Sequence, residues 1–261
     1  MNIQKNDETF AIKENETLIY VVRHGESVGN LHRICLGHTD LDLTALGMEQ
    51  AKKTADALEN VDFAAIYSSD LQRAVHTAEP HAAKRSLVVN TSPDFRELYF
   101  GNWENASVLM LKDKFHEQFM IGWRQNFGTF TAPEGESVVE MADRMARGLI
   151  KIGSMHVGET LLVTSHAAAI RALWGKISGY APSEWADAFP FPTNASYSVL
   201  KFDGESLVPI SYSNDSHLGE LVTFIQHGSA GNSDDFQHFN LSKQIIYHIG
   251  GSWSTVVFFM P

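Results

Sequence analysis

Two uninterrupted apolar runs, TLIYVV at 17–22 and TLLVT at 160–164, stand out from the mixed hydrophobic and polar positions of the chain. Neither run alternates, and such runs are typical of strands that are buried on both faces within a parallel sheet. Shorter runs at 64–67 and 87–89 predict two further strands. Between the strands, apolar residues recur at helical spacing. The predicted helices begin near residues 44, 70, 137 and 167.

Strands that alternate with helices predict an α/β fold, namely a mostly parallel open sheet with helices on both faces. Two strand-like segments, 196–202 and 207–212, flank a turn at 203–205 and predict a hairpin. The hairpin would place antiparallel strands at one edge of the sheet.

Side chains at two of the predicted helix starts match the capping-box pattern, in which a hydroxyl and a side chain three residues later cap the helix. These pairs are Ser69 with Gln72 and Ser137 with Glu140. Pro80 lies inside one of these helices and is expected to kink or shorten it, because proline lacks the backbone donor.

We predict one α/β domain over 1–225 and a C-terminal tail over 226–261 to which the sequence assigns no role. Within the domain, 103–136 predicts a helical insert over the carboxyl edge of the sheet. The spacing of its aromatic residues favours core packing, with a lid over a ligand as the alternative. These aromatic residues are Trp103, Phe115, Phe119, Trp123, Phe127 and Phe130.

Composition narrows the classes of function. The 261 residues carry 20 basic and 31 acidic side chains, a net charge of −11, which argues against nucleic-acid and anionic-membrane partners. Cys35 is the single cysteine, so no internal disulfide forms, as is usual in a reducing compartment. The polar N-terminus does not match a signal peptide, and no apolar run reaches the ~20 residues of a membrane span. A cytoplasmic protein is therefore expected.

Chemically useful residues follow the predicted strands. Arg23 and His24 come directly after the first buried run, and His166 comes directly after the second. Arg73 lies in the first turn of a helix that follows another strand, and Arg96-Glu97 supplies a carboxyl group. Each residue alone is more often structural. Because the carboxyl ends of parallel strands share one edge, we expect these groups to meet there, where α/β sheets bind ligands.

Cleavage of a phosphate monoester explains the set. Such hydrolysis needs up to about 10²¹-fold acceleration, and one arginine on the phosphoryl group supplies roughly 10³–10⁵. We expect Arg23, Arg73 and His166 to hold the phosphoryl oxygens, His24 to attack phosphorus and Glu97 to protonate the leaving group. The sequence shows no metal-ligand spacing, and the mechanism requires neither metal nor cofactor.

Longer motifs over roughly 17–218 resemble the histidine phosphatase superfamily, the phosphoglycerate-mutase-like enzymes. The resemblance implies His24 as the phospho-acceptor and Glu97 as the proton donor, with Arg23, Arg73 and His166 completing the phosphate pocket. It also implies substrate contacts from Ser27, Asn30 and Gly37. Ala167 stands where the family usually has glycine. The motifs are RHGESVGN (23–30), LTALGMEQA (43–51), YSSDLQRAVHTAE (67–79), RELYFGNWE (96–104), PEGES (133–137) and LLVTSHAAAIRAL (161–173).

Within the family, RELYFGNWE resembles the phosphatase branch. This resemblance implies a phosphatase that cleaves a small phosphate ester through a phosphohistidine intermediate. The first alternative is a phosphoglycerate mutase, which needs extra cations over the pocket. The insert offers only Lys112, Lys114 and Arg124. The second alternative is a non-catalytic module that binds a phosphorylated ligand. The identity of the ester and the oligomeric state stay open.

Overall fold

The structure, a computed structural model, describes residue 10, residues 13–223 and the backbone of residues 244–249 and 252–257. In this part of the chain a six-stranded sheet has the order β3-β2-β4-β1-β5-β6. The first four strands in this order are parallel, whereas β5 and β6 run antiparallel at one edge. The mostly parallel sheet and its edge hairpin are therefore confirmed. The strands are β1 (Thr17–Arg23), β2 (Ala65–Ser68), β3 (Val89–Thr91), β4 (Thr160–Ser165), β5 (Tyr197–Phe202) and β6 (Leu207–Asn214).

Seven α-helices are present in the described residues. They are α1 (Val28–Leu31), α2 (Ala45–Ala57), α3 (Gln72–Arg85), α4 (Val108–Lys114), α5 (Val138–Met155), α6 (Ala167–Ile177) and α7 (Trp185–Ala188).

Helices cover both faces of the sheet, as β1 shows. Its residues Ile19 and Val21 pack in the core cluster that contains residues of α5 and α6. The intervening Tyr20 and Val22 pack in a second cluster with Ala78 and Ala82 of α3. Successive strand residues point to opposite faces, so β1 is buried from both sides, and its lack of alternation follows.

The start of α3 differs from the predicted capping box. Leu71 occupies the cap position without a side-chain hydrogen bond. The Gln72 backbone N–H instead donates to the Asp40 carboxylate at 2.8 Å, and the Ser69 hydroxyl bonds His166. The second predicted capping box, Ser137 with Glu140, is present at the start of α5.

Pro80 does not end α3, which continues to Arg85. A proline removes one intrahelical hydrogen bond. The expectation of a shortened helix was wrong because packing outweighs that loss: the helix buries Ala74, Ala78 and Ala82.

The insert is helical, and most of its aromatic residues are buried in the hydrophobic core. It contains α4, a π-helical segment Glu117–Gln125 and a short 3₁₀ turn, Phe127–Thr129. Phe115 is 38% exposed and lies at the margin. The other five predicted aromatic residues are buried, namely Trp103, Phe119, Trp123, Phe127 and Phe130.

Of the predicted tail, 226–261, the structure describes only a hairpin of β7 (Gln244–Ile249) and β8 (Ser252–Val257). The rest of the tail lies outside the described residues. In the described part of the chain, no helix combines the length and the apolar character needed to cross a membrane.

Candidate active site

The two histidines meet because β1 and β4 are adjacent parallel strands in register. Arg23 pairs with Ser165 across the two strands, so His24 and His166 are the next residues on each. The His24 backbone N–H donates to the Ser165 carbonyl at 2.9 Å, which continues the ladder by one bond. The imidazole centroids lie 5.2 Å apart. Strand register alone therefore brings together residues that are 142 positions apart in the chain.

His24 is held as a neutral imidazole with one defined tautomer. Its Nδ1 lies 2.6 Å from the Gly25 carbonyl oxygen, which can only accept, so Nδ1 carries the proton. Nε2 consequently keeps its lone pair. Burial, together with the nearby cations Arg73 and Arg23, lowers the pKa of His24 well below its usual value. The imidazole is thus a free base at neutral pH, as a nitrogen nucleophile must be.

Arg23 offers unused donors beside that imidazole. Its side chain is fully buried, and Nη1 donates to the Pro192 carbonyl at 2.7 Å. Nε and Nη2 are buried without a hydrogen-bond partner. Burial lowers the pKa of Arg23 to about 10, so the group stays charged at neutral pH. A buried cation with two unpartnered donor nitrogens is an incomplete site, and a doubly charged oxyanion would complete it.

Arg73 approaches from the first turn of α3 and is fixed by backbone carbonyls. Its Nη2 donates to the Gly37 oxygen at 2.7 Å and its Nη1 to the Thr39 oxygen at 3.0 Å. Burial lowers the pKa of Arg73 to about 10, which again leaves it charged. Three further N–H groups of the guanidinium remain for other acceptors.

Glu104 holds the loop that anchors Arg73, a role that the sequence analysis missed. Its carboxylate accepts from the His38 backbone N–H at 2.7 Å and from the Thr39 hydroxyl at 3.0 Å. Gly37 has φ +54°, and a Cβ there would lie 2.3 Å from the Glu104 carboxylate. Glycine is required at this position because of both the backbone conformation and the close approach. Glu104 lies in the motif RELYFGNWE, which was the available signal.

Glu97 reaches the start of α6. Its Oε1 accepts from the backbone N–H groups of Leu98 at 2.9 Å and Ala169 at 3.2 Å, and Oε2 accepts from Ala168 at 3.2 Å. These bonds and the nearby arginines favour the carboxylate, but burial is the largest effect and raises the pKa of Glu97. A carboxyl group with a raised pKa is suited to donate a proton.

His166 lies beside His24 and is not among the residues that line the cavity described below. Its Nε2 is 2.8 Å from the Ser69 hydroxyl oxygen, and its Nδ1 is buried without a partner. Burial, with Arg73 and His24 nearby, lowers the pKa of His166 well below its usual value. The hydrogen bond that we expect from His166 to the phosphoryl group stays a prediction.

Ser27 and Asn30 stabilise the loop after β1. The Ser27 hydroxyl accepts from the Asn30 backbone N–H, and the Asn30 side-chain oxygen accepts from the Ser27 N–H. This capping box starts α1, which is a single turn. Both residues also line the cavity. Their contacts with substrate stay a prediction, and their hydrogen bonds to each other give them a structural role as well.

Gly25 is required by packing against α2. A Cβ on Gly25 would lie 2.4 Å from the Gly47 carbonyl oxygen, so only glycine permits the loop after β1 to pack this closely against the helix.

A cavity of about 100 Å³ joins these groups. Its polar part contains the predicted residues Arg23, His24, Arg73 and Glu97 together with Gly37. Ala167 also lines the cavity, in agreement with the methyl group that replaces the family's usual glycine. The remaining wall contains Ser27, Asn30 and Cys35 but is mostly apolar, and its large apolar residues are Ile34, Leu36, Phe100, Val108, Phe119, Trp123 and Phe191.

In the described part of the chain, no group of three or more histidine, cysteine or acidic residues is placed to hold a metal ion. Cys35 lines the cavity, and burial raises the pKa of its thiol, which keeps it protonated. The described groups that carry charge in the cavity are the two arginines and Glu97.

An α/β sheet whose carboxyl edge brings together two imidazoles and two buried guanidinium groups has the charge and the donors that an oxyanion site needs. The family model of the histidine phosphatase superfamily (branch 1) matches residues 19–215, and the chain belongs to that superfamily. The match covers the insert and the six-stranded sheet except for the first two residues of β1.

Relatives include phosphatases and mutase-like proteins. Phosphoglycerate mutase-like protein 4 of Arabidopsis thaliana is 34% identical over 217 residues, covering 82% of this chain and 91% of that protein. The uncharacterized phosphatase PhoE of Bacillus subtilis (strain 168) is 29% identical over 206 residues, covering 79% and 99%. Both similarities therefore extend over nearly the full length of the relatives.

Solved structures show the same fold. Bacillus stearothermophilus YhfR superimposes with a TM-score of 0.73 at 26% identity, over 77% of this chain and 99% of that chain. A mycobacterial glucosyl-3-phosphoglycerate phosphatase in complex with VO3 superimposes with a TM-score of 0.67 at 25% identity, over 73% and 95%.

Proposed function

We propose that this protein is a phosphomonoesterase that releases inorganic phosphate from a small phosphate ester through a phosphohistidine on His24. The ester phosphate would enter the polar part of the cavity, where the unpaired Nε and Nη2 of Arg23 donate to its oxygens. Arg73 would add charge from the first turn of α3. His166 would donate to the charge that develops on the same oxygens. All of these steps use side chains of the protein.

In the first step the Nε2 lone pair of His24 forms a bond to phosphorus. The P–O bond to the leaving group breaks, and its electron pair stays on that oxygen. Glu97 transfers its proton to the oxygen, so the product departs as a neutral alcohol and Glu97 becomes a carboxylate. The backbone N–H groups of Ala168 and Ala169, at the start of α6, then stabilise the new negative charge.

In the second step water attacks phosphorus and the P–N bond breaks. The carboxylate of Glu97 takes one proton from the water, which restores the carboxylic acid. His24 returns as the neutral imidazole with its proton still on Nδ1, bonded to Gly25. Inorganic phosphate leaves, and the protein ends in the protonation state in which it began.

The observation that carries the proposal is the fixed tautomer of His24 beside the unpaired donors of Arg23. A binding module would need the cations, but it would have no use for a nucleophile with a free lone pair or for a carboxylic acid with a raised pKa. The phosphatase names of several relatives support the same conclusion.

Trapping of the intermediate tests the proposal. Acid-free rapid quenching during turnover of 4-nitrophenyl phosphate should give an alkali-stable, acid-labile phosphate on the peptide that contains His24, detected by mass spectrometry. We expect His24→Gln to lose the adduct and on the order of 10⁴–10⁶ in kcat. Turnover that survives in His24→Gln, or an adduct on another residue, would contradict the mechanism.

A phosphoglycerate mutase is the second candidate, because curated relatives carry that name. A mutase uses the same nucleophile but returns the phosphoryl group to its substrate. It must also bind a second anionic group, and the described cavity wall offers no cation beyond the two arginines that hold the first phosphate. Incubation with 3-phosphoglycerate and its bisphosphate primer separates the two: a mutase forms the 2-isomer, whereas a phosphatase releases phosphate.

A further inference from the structure

The lining of the cavity divides into a small charged set and a larger apolar set. Its described charged groups are Arg23, Arg73 and Glu97, and the proposed mechanism assigns each of them to the phosphoryl group or to the proton. Aliphatic and aromatic side chains form most of the remaining lining, and Ser27, Asn30 and Cys35 are its uncharged polar members. A leaving group bound against the apolar residues would find no further cation for a carboxylate or a second phosphate and no further carboxylate for an ammonium group.

The apolar wall is preformed. Trp123 is its central residue and lies within 5.6 Å, between ring centroids, of Phe100, Phe127, Phe130 and Phe191. Its exposed fraction is only 6%. Rings that are packed this closely cannot turn aside to admit water around a charged group, so desolvation would oppose the binding of one.

Phe191, which lies outside the insert, packs against a buried cation. The guanidinium carbon of Arg171 lies 4.2 Å from the centroid of Phe191 and 4.4 Å from that of Phe127. Arg171 is itself held by the carbonyls of Phe189 and Ala186, each at 2.6 Å. The Arg171 guanidinium is therefore engaged by these rings and carbonyls, and it is not available to bind the substrate.

We infer that the site selects phosphate monoesters whose leaving group is uncharged and apolar, such as phenylalkyl esters. This inference rests on the proposed phosphatase activity and adds the chemistry of the leaving group. The phosphate would bind the arginines, and the hydrocarbon would be buried against the insert, where removal of apolar surface from water favours binding.

Two alkyl esters of similar intrinsic reactivity test the selection, namely 2-phenylethyl phosphate and 3-phosphoglycerate. We expect kcat/KM to be at least about tenfold higher for 2-phenylethyl phosphate, since a hydrophobic pocket discriminates by roughly 10–200-fold. Equal values, or a preference for 3-phosphoglycerate, would overturn the inference and leave the phosphatase proposal standing. No turnover of either ester, with no phosphohistidine, would end both.

A charge placed on the wall provides a matched pair of variants. Val108 is partly exposed and lines the cavity at the first residue of α4, whereas the adjacent Leu109 is 76% exposed and does not line it. Val108→Lys should reduce the preference for 2-phenylethyl phosphate by about tenfold or more, chiefly by improving kcat/KM for 3-phosphoglycerate. Leu109→Lys adds the same charge to the same helix and should leave the ratio unchanged. An equal effect of both variants would show that long-range charge, and not the wall, sets the preference.

Discussion

Glu97 is subject to two opposed influences on its pKa, and their balance decides its chemistry. Three backbone N–H groups donate to its carboxylate and favour ionisation. Burial favours the neutral acid and is the larger effect, so the pKa is raised. The same donors that lose this competition in the resting protein become useful when the acid has given up its proton. Glu97 is thus suited to act as acid first and as base afterwards.

Glu97→Gln keeps the shape of the side chain and removes the proton. We expect kcat/KM for an alkyl phosphate to fall by roughly 10²–10⁴, because an alkoxide leaves poorly without protonation. The loss should be much smaller for 4-nitrophenyl phosphate, whose leaving group is a weak base. Steady-state kinetics with both esters measures the difference, and equal losses would show that Glu97 is not the proton donor.

The pH profile gives an independent check on the same residue. Activity needs the protonated acid, so kcat/KM for the alkyl ester should fall as the pH rises through the raised pKa of Glu97. Glu97→Gln should lack this alkaline limb.

The sequence predicted which side chains meet at the candidate site but not the residues that support them. Strand ends and motifs placed His24, Arg23, Arg73 and Glu97 at one edge, and all four line one cavity. Glu104 was missed although it lies in the motif RELYFGNWE, because the motif does not show its partners, the His38 backbone N–H and the Thr39 hydroxyl of a loop about 65 residues earlier.

Among the elements, the segment at 219–223 supports the catalytic loop although it follows the matched family region. The Thr223 hydroxyl donates to the Asn194 side-chain oxygen at 3.1 Å and accepts from Gln50 at 2.9 Å. With its oxygen engaged, the Asn194 amide points Nδ2 toward the His24 carbonyl at 3.2 Å and the Asn30 oxygen at 3.1 Å. Thr223 therefore sets the orientation of an amide that holds the backbone of His24, the proposed nucleophile.

Thr223→Val removes both hydrogen bonds and keeps the shape. We expect kcat to fall by about tenfold, equivalent to roughly 1.4 kcal/mol, with KM nearly unchanged, because the nucleophile loses alignment and the anion site stays intact. Thr223→Ser retains the hydroxyl and should behave like the wild type. Urea unfolding of each variant checks that stability is comparable. An equal loss of kcat in both variants would argue against an orienting role for the hydroxyl.

Local patterns predicted whole elements better than their ends. The apolar runs gave β1 and β4 nearly residue by residue, and the capping box of α5 formed as expected. The predicted cap of α3 failed because Asp40, distant in sequence, supplies the acceptor and Ser69 serves His166. The insert was assigned to core or lid as alternatives, and Phe119 and Trp123 are both buried and part of the cavity wall.

For the whole molecule, buried histidines make stability depend on pH. His24, His81 and His166 are buried, and burial lowers the pKa of each, to about 3 for His81. Below the usual histidine pKa near 6.5, these histidines bind protons in the unfolded chain but stay neutral in the folded protein. The free energy of unfolding should therefore fall as the pH drops below about 6.5, by up to about 1.4 kcal/mol per pH unit for each histidine.

His81 allows this effect to be tested away from the active site. Both of its ring nitrogens are buried without a partner, beside Phe63 and near the cations Arg85 and Lys84. His81→Leu should reduce the pH dependence below pH 6.5 by about 1.4 kcal/mol per unit and leave kcat/KM at pH 7 unchanged. Urea unfolding at pH 7.5 and 5 measures the slope, and an unaltered slope would exclude His81 as a source.

The pairing of β1 with β4 has a consequence for how such a protein can diversify. In the proposed mechanism the reacting nitrogen follows a hydrogen-bonded strand in the middle of the sheet, whereas part of the surface that would meet the departing alcohol comes from the separate helical stretch 103–136, namely Val108, Phe119 and Trp123. Exchanging that stretch for one of different chemistry should alter which alcohol is accepted while the bond-breaking apparatus stays as it is. The proposed catalytic groups and part of the surface that would determine substrate selectivity are thus encoded in separate segments of the chain.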